Sequence, residues 1–414
     1  MPVEAGAVRI EKVGMLALLI SGCTVIGPSA LRQSRLRYNE TIKTTSEEEM
    51  LLNIVRLRYA DTPSSLAVSN IAAQFELAAS LGVNPFFAAG ADRSFATALP
   101  SASIGGADRP TFSLTPLDDS DFARRLFTPL SLDGVVYLAK TTWPIQTVFR
   151  LYLENLNWVP NAQTASGPTP AEAPPASDFL EGMAALQRLQ QRGDIVFGTE
   201  EHKRTLGGAL TSATADSAIA AAQQGLELNP QADGKTWKLQ RTERQFVMHL
   251  NPAALDSTEM GAVRRIFGLK KNTVRFELSV EALAPFAQPG DEGFAQIDLE
   301  TRSLLQALFF VSHGVQVPSE HLTRGVARQT RKPDGTPFDW EPVLRGLFKV
   351  KSEPGQCGGE DAHVSVSYSG HCFFIDATDQ DTKSTFALLM ELARLEVPSQ
   401  AGRAPILTIP LGGR

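Results

Sequence analysis

The sequence predicts an α+β fold, because helical and strand-like apolar spacings alternate irregularly along its 414 residues. The clearest helical spacing follows Asp381, where Phe386 and Leu389 begin an apolar stripe. The clearest strand pattern is Val364 and Val366 alternating with serines. Regular strand–helix–strand alternation, which would favour a parallel sheet, is missing from the pattern. We therefore expect mixed helices and antiparallel strands, with a C-terminal β-hairpin, a following amphipathic helix and a terminal strand.

The N-terminus has the order of a bacterial export signal. Arg9 and Lys12 precede an apolar run from Val13 to Ile20, and small residues lead to Cys23. The run is too short to span a bilayer, and this order is typical of secretory signal peptides. The alternative is a buried N-terminal strand with an incidental cysteine. We expect residues 1–22 to be a signal peptide.

The segment Leu19-Ile20-Ser21-Gly22-Cys23 resembles the lipobox of bacterial lipoproteins. The resemblance implies cleavage before Cys23 and acylation of that cysteine, which would anchor the protein to a membrane. Several acyl chains on one residue give stable anchoring, whereas one chain binds only marginally. Thr24 rather than aspartate follows the cysteine, and this implies export to the outer membrane, with the protein on its periplasmic face.

Residues 23–45 are predicted to be a polar tether, and residues 46–159 an N-terminal α+β region. Ser46 and Glu49 have capping-box spacing, so a helix is expected to begin at Ser46 and to end near Pro63. Arg56 and Arg58 either contact a carboxylate of the next segment or lie on the solvated face of this helix, and the solvated face is favoured. Between residues 65 and 115 short apolar alternation and few charges predict a small sheet or a long hairpin. An ordinary half-buried sheet is the favoured interpretation, and the alternative is a pairing edge or a membrane-proximal surface. Two or three helices are expected between residues 118 and 157.

Residues 160–177 are rich in proline and poor in large apolar side chains. We predict an exposed linker or long loop here, because such a segment buries little apolar surface. Residues 178–414 are predicted to be a C-terminal α+β domain. Its expected elements are helices at 178–193, 209–225, 257–267 and 297–315, and strands at 195–197, 237–239, 245–250 and 274–280.

Ser369-Gly370 predicts a two-residue turn in the C-terminal hairpin. The turn places Val364 opposite Ile375 and Val366 opposite Phe373. In the same register His363 lies opposite Asp376, and Cys372 lies opposite Ser367. Cys357 would have to fold back to reach Cys372, so a disulfide between these two cysteines and two free thiols both remain open.

The sequence lacks the motifs of nucleotide-binding loops, zinc proteases and serine hydrolases. His313, Glu320 and His321 are either metal ligands or members of a solvated loop, and the loop is favoured. Asp376, Asp379 and Asp381 near His363 are either calcium ligands or a helix cap, and the missing glycine and glutamate favour the cap. We expect no catalytic, cofactor-binding or metal site. The net charge of −6 without a basic stripe argues against nucleic acid as a partner.

Several segments resemble a family of uncharacterised proteobacterial outer-membrane lipoproteins. They include Phe373-Phe374-Ile375-Asp376 and residues 38–40, 51–59, 110–112, 115–117, 301–305, 317–318 and 383–389. The chain departs from the family at His371-Cys372, where its members are aromatic. The resemblance implies an envelope location and brings no activity, substrate or catalytic residue.

These observations lead to a non-catalytic interaction or assembly component as the expected function. Its expected partners are the membrane, through the N-terminal lipid anchor, and other proteins of the envelope. A periplasmic hydrolase acting on envelope polymers is one alternative, and it would require His363, Asp376 and another polar group to converge in a cleft. A ligand-binding accessory of transport is another, which a large apolar pocket would favour.

Overall fold

The computed structural model describes residues 36–64, 66–89, 94–116, 120–141, 143–211, 215–280, 283–284, 286–290, 292–359, 361–396 and 407–410. They fall into two compact units. The first comprises Met1–Glu49, Ser64–Phe122 and Val397–Arg414, and the second comprises Met50–Pro63 and Ala123–Glu396. Helices and sheets occur together without regular alternation, so the α+β prediction is confirmed. The unit boundaries do not follow the predicted division into residues 46–159 and 178–414.

Helix α1 covers residues 36–58. The predicted tether (residues 23–45) and the predicted helix start at Ser46 are therefore wrong over residues 36–45. The Ser46 hydroxyl donates to the carbonyl oxygen of Ile42 at 2.7 Å, as a serine inside a helix does, and does not cap a helix start. The predicted apolar stripe is confirmed, since Leu51, Ile54 and Val55 are fully buried. The helix ends before Ala60, whose φ of 58° is left-handed.

The first unit contains a long β-hairpin. Strands β1 (Leu66–Ala89) and β2 (Ser94–Pro116) pair antiparallel along their whole length, with one irregularity between Val68 and Asn70. Strand β13 (Leu407–Pro410) pairs antiparallel with residues 111–114 of β2, so the strand order is β1-β2-β13. The long-hairpin alternative and the terminal strand are thus both present.

Three short helices follow, as predicted: α2 (Ser120–Phe127), α3 (Leu132–Lys140) and α4 (Ile145–Tyr152). Ser131 begins α3 by accepting a hydrogen bond from the amide of Gly134. The chain then enters strand β3 (Leu153–Leu156), so the helical region expected to reach residue 157 ends at Tyr152. Pairing of Leu156 with Leu299 explains the change, because a sheet partner overrides local helical spacing.

The second unit is built on a mixed seven-stranded sheet. Its order is β4-β3-β9-β8-β7-β5, with β6 paired to β7, and every adjacent pair is antiparallel except β8–β9. The remaining strands are β4 (Val159–Pro160), β5 (Ile195–Leu210), β6 (Leu226–Pro230), β7 (Trp237–Leu250), β8 (Arg275–Ser279) and β9 (Gln296–Thr301). The predictions placed strands at β5, β7 and β8, but β5 is much longer than expected and the two strands predicted within β7 are one.

The helix predicted at 297–315 is wrong in its first part, which forms β9. Helix α8 (Leu304–Ser312) begins only after Ser303, whose hydroxyl accepts from the amide of Gln306 while the Gln306 side chain accepts from the amide of Ser303. The other helices are α5 (Ser177–Gln191), α6 (Ala215–Gln223), α7 (Thr258–Phe267), α9 (Ser319–Thr323), α10 (Glu341–Leu344) and α11 (Gln380–Glu396). Short 3-10 turns lie at Gln163–Ser166 and Pro252–Ala254.

A small sheet has the order β10-β12-β11 and contains the C-terminal hairpin. Its strands are β10 (Lys351–Pro354), β11 (Ala362–Tyr368) and β12 (His371–Asp376). The predicted register is present from Val364 opposite Ile375 to Tyr368 opposite His371. Helix α11 follows, and its Phe386 and Leu389 are buried as predicted.

The segment 160–177 is not an exposed linker. Asn161, Ala162 and Ala165 are fully buried, and the segment lies within the second unit. Its polar groups accept hydrogen bonds from two buried arginines: Arg302 donates to the Ser166 hydroxyl at 2.9 Å, and Arg58 donates to the Thr169 hydroxyl at 3.0 Å. The expectation that Arg58 faces solvent is wrong for the same reason.

No helix among the described residues combines the length and the apolar character needed to cross a membrane.

Candidate functional sites

Cys23, the predicted lipidation site, lies outside the described residues. The other two cysteines form a disulfide between Cys357 and Cys372, with their Cα atoms 5.0 Å apart. The chain before β11 folds back along the hairpin, and the Ser367 hydroxyl lies 3.7 Å from the Cys357 sulfur. Of the two states that the sequence left open, the structure contains the disulfide.

The predicted pairing of His363 with Asp376 is wrong. A shift in register between Ala362 and Val364 places Ala362 opposite Asp376. The Asp376 carboxylate instead accepts from the Lys351 ammonium at 2.6 Å, and this hydrogen bond holds the pKa of Asp376 well below its usual value. The Asp376 carboxylate is therefore bound by Lys351 rather than placed opposite His363.

The acidic residues after the hairpin accept hydrogen bonds from nearby amides and hydroxyls. Asp376 also accepts hydrogen bonds from the amide and hydroxyl of Thr378, at 2.8 and 2.6 Å. Asp379 accepts from the amide of Thr382 at 3.0 Å and from its hydroxyl at 2.7 Å, at the start of α11. These contacts are those of a turn and a helix cap, which was the favoured interpretation of this segment.

His313 does not join Glu320 and His321. Its ring lies 4.2 Å from the Trp340 ring, and its Nδ1 is 2.7 Å from the carbonyl oxygen of Phe309. Burial, and then the charge of Arg58, lowers the pKa of His313 to about 3. The imidazole is therefore neutral at physiological pH and belongs to the core.

A different histidine completes a cluster with Glu320 and His321. Both residues lie on α9, and His371 is the first residue of β12. The His321 Nε2 and the His371 Nε2 each lie 3.6 Å from the Glu320 Oε1. The two imidazole rings meet edge to face, with centroids 4.7 Å apart. One ligand atom from each residue lies within 4.8 Å of the others.

The cluster is buried on its imidazole side and open on its carboxylate side. His321 is 1% exposed, whereas the Glu320 side chain is 61% exposed. Burial, and then the neighbouring His371, lowers the pKa of His321, so this imidazole is neutral at physiological pH. A neutral imidazole retains a lone pair, which is the form that binds metal ions. The chemistry that this arrangement offers is coordination by two nitrogens and one carboxylate oxygen.

Tyr59 contacts the cluster through the imidazole of His321. Its hydroxyl lies 2.7 Å from the His321 Nδ1, and its ring is 5.1 Å from the ring of Tyr368. The Tyr368 hydroxyl donates to the Asp61 carboxylate at 3.2 Å. Burial raises the pKa of Tyr59 to about 12, so the phenol stays protonated. Because one nitrogen of His321 is occupied by Tyr59, the other nitrogen is the one presented to Glu320.

Sequence reasoning identified two of the three members and missed His371. The spacing of Glu320 and His321 was visible, but the third ligand is separated from them by about fifty residues of chain. The available signal was the predicted turn at Ser369-Gly370, which places His371 at the start of β12. No local pattern shows that this end of the strand faces α9.

A separate cleft of about 470 Å³ lies in the second unit. Its lining includes Arg58, His313, Phe338 and Trp340. The His313 Nε2 and the Trp340 Nε1 are buried and have no hydrogen-bond partner among the described residues. The cleft thus combines aromatic surface with charged side chains of both signs, among them Arg58 and Asp339.

Comparison of this chain with protein-family models, with curated proteins and with solved structures finds no match.

Proposed function

We propose that this protein is a lipoprotein of the bacterial cell envelope, anchored by Cys23 in the outer membrane and facing the periplasm. There it acts as a non-catalytic interaction or assembly component. The observation that carries the proposal is the order of Arg9 and Lys12, the apolar run to Ile20 and the small residues before Cys23. The resemblance to proteobacterial outer-membrane lipoproteins belongs to the same proposal.

The hairpin of the first unit supports an assembly role. Strands β1 and β2 have 24 and 23 residues, well beyond the usual length of about 3–10. Among the described residues β13 covers only residues 111–114 of β2, and β1 is an edge strand. Two-stranded ribbons are marginally stable alone, and open edges recruit further strands. The charged residues within the two strands are Glu76, Asp108 and Arg109, so charge does little to oppose such pairing.

The anchor is tested by crosslinking the full-length protein in its native envelope and purifying it, with Cys23→Ser as the matched variant. We expect a stoichiometric complex with envelope proteins for the unaltered chain and its loss for the variant. Mass spectrometry of the N-terminal peptide should find acyl groups on Cys23. An unmodified Cys23, or a protein recovered without partners, would contradict the proposal.

The hairpin is tested by placing a photo-activated crosslinking amino acid at Ala79 in β1. The control position is Ile219 in α6, which is 58% exposed. We expect protein adducts from Ala79 and none from Ile219. Equal labelling at both positions would mean that the crosslinker reports exposure rather than a binding edge.

A ligand-binding role is the second candidate, and the cleft beside His313 and Trp340 favours it. Its volume of about 470 Å³ lies within the range of small-molecule sites, about 300–1,000 Å³. Quenching of tryptophan fluorescence by envelope metabolites, lost in Trp340→Phe, would support it. The hydrolase alternative required His363 and Asp376 to converge, and the Asp376 carboxylate binds Lys351 instead.

A further inference from the structure

Three metal-ligating atoms converge beside the C-terminal hairpin, in a place that the assembly role does not use. They are the Nε2 atoms of His321 and His371 and the Oε1 of Glu320. Both nitrogen-to-oxygen distances are 3.6 Å, which is too long for a hydrogen bond, since such bonds measure about 2.7–3.2 Å. The three side chains are therefore close without bonding directly to one another.

The same distances fit a common ion. A tetrahedral Zn²⁺ lies about 2.0–2.1 Å from imidazole nitrogens and carboxylate oxygens, so its ligands are separated by about 3.4 Å. The observed 3.6 Å differs from this by a few tenths of an ångström. Rotation of the exposed Glu320 side chain can change these two distances. The ligand nitrogens of the two histidines lie within 4.8 Å of each other, so the rings must also approach by up to about 1.4 Å when the ion binds.

Tyr59 provides the outer contact that such a site needs. Histidine ligands usually use their second nitrogen to bond a neighbouring group, which fixes the tautomer and the ring orientation. The Tyr59 hydroxyl is 2.7 Å from the His321 Nδ1, and accepts from it in the tautomer that leaves a lone pair on Nε2. Packing of the Tyr59 ring against Phe373, with centroids 6.1 Å apart, holds the phenol in place.

The ligand set selects the class of ion. Imidazole nitrogen is a poor ligand for Mg²⁺ and Ca²⁺, which require oxygen, and a good one for Zn²⁺ and its neighbours. We propose that Glu320, His321 and His371 bind a divalent transition-metal ion, Zn²⁺, with water at the remaining position. The ion joins α9 to the first residue of β12 and stabilises the end of the hairpin that the Cys357–Cys372 disulfide also constrains.

The test uses the full-length protein without a histidine tag, purified in detergent and treated with a chelator. Co²⁺ is titrated first, because its visible absorption reports the number and type of ligands, and Zn²⁺ is then added to displace it. We expect one equivalent of Co²⁺ in a four- or five-coordinate spectrum, displaced by micromolar Zn²⁺. Failure to bind either ion at micromolar concentration overturns the proposal.

Glu320→Gln is the decisive variant, because its exposed side chain can be changed without disturbing the fold. We expect Zn²⁺ affinity to fall about 100-fold or more, since even an outer contact contributes about 10- to 100-fold. Tyr59→Phe keeps the ring packing and should weaken binding within that lower range. Unchanged affinity in Glu320→Gln would show that the ion binds elsewhere and would overturn the assignment.

Glu200→Gln is the matched control. Glu200 also faces a histidine, with its Oε1 3.0 Å from the His249 Nε2, but no second histidine among the described residues completes a site there. We expect this variant to bind Zn²⁺ as the unaltered protein does. An equal loss in Glu200→Gln and Glu320→Gln would mean that general surface charge, and not the cluster, attracts the ion.

Discussion

The Arg302 guanidinium donates a hydrogen bond from Nη2 to the carbonyl oxygen of Asn161, 2.5 Å away, in the interior of the second unit. The same side chain donates to the Ser166 hydroxyl at 2.9 Å and to the carbonyl oxygens of Arg150 and Leu151, at 2.9 and 3.2 Å. Its carbon Cζ lies 3.9 Å above the centre of the Phe310 ring. Arg302 is fully buried, and burial lowers its pKa to about 9. One side chain thus fixes the end of α4 and the proline-rich segment together.

Arg302→Met should lower the free energy of unfolding of the second unit by at least about 3 kcal/mol. The substitution keeps the apolar stem but removes the donor to the buried carbonyl oxygens of Asn161 and Leu151 and to the Ser166 hydroxyl. Each buried polar group left unpaired costs about 1–3 kcal/mol. Urea unfolding followed by tryptophan fluorescence measures the effect. All four tryptophans, Trp143, Trp158, Trp237 and Trp340, belong to this unit, so the signal is specific to it.

Arg345→Met is the control for that measurement. Arg345 pairs with Glu341 one helical turn away, and its side chain is 72% exposed. Exposed ion pairs contribute about 0–1 kcal/mol, so the urea midpoint should barely move. Similar losses in both variants would contradict the view that Arg302 organises the core.

Local patterns were sufficient where neighbouring residues decide the structure. The alternation from Val364 to Tyr368 and the Ser369-Gly370 turn predicted a register that the structure contains from Val364 to His371. The prediction failed at His363 because an irregularity in a strand has no fixed sequence signal. The helix predicted at 178–193 is likewise present as α5, and its Phe179 and Met183 are fully buried.

Long-range contacts decided the elements that the sequence did not reveal. Residues 160–177 have the composition of a linker, and they are ordered by an arginine more than a hundred residues away. Residues 297–301 have helical spacing but pair with β3 and β8. The sequence did not predict His371 as a member of the histidine cluster for the same reason, because His371 approaches α9 only through the packing of the hairpin.

The buried His313 predicts a specific dependence of stability on pH. Its pKa is 6.5 when unperturbed and about 3 in the folded protein, so between these values the unfolded chain binds the extra proton. The free energy of unfolding therefore falls as the pH decreases from 6.5 towards 3, by about 5 kcal/mol in total from this group. Above pH 6.5 both states are neutral and the contribution is constant.

His313→Gln should remove that part of the dependence. Urea unfolding at several pH values between about 7 and 4 should give a smaller fall in stability for the variant than for the unaltered protein. His202→Gln, at an exposed position on β5, serves as the control and should keep the original slope. If the free energy of unfolding depends on pH in the same way for His313→Gln and the unaltered protein, His313 is not the group that titrates.

Gly182 allows helices α5 and α7 to approach closely. A Cβ atom at this position would meet the Phe267 ring carbons Cε2 and Cζ, and it would lie 3.3 Å from the Ile266 Cγ2. Phe267 is 1% exposed and its ring packs edge to face on Phe179, with centroids 6.2 Å apart, so the ring cannot move aside. Gly182→Ala should therefore lower the free energy of unfolding by about 1–3 kcal/mol, as overpacking does.

Gly261→Ala in α7 is the matched substitution, because nothing lies within 4 Å of a Cβ built there. Alanine in an open helical position is worth up to about 1 kcal/mol relative to glycine, so this variant should be more stable than the unaltered protein. The same chemical change is thus expected to have opposite signs in two helices that pack on each other. If tryptophan-detected urea unfolding gives both variants the same sign, close packing at Gly182 is not what selects glycine there.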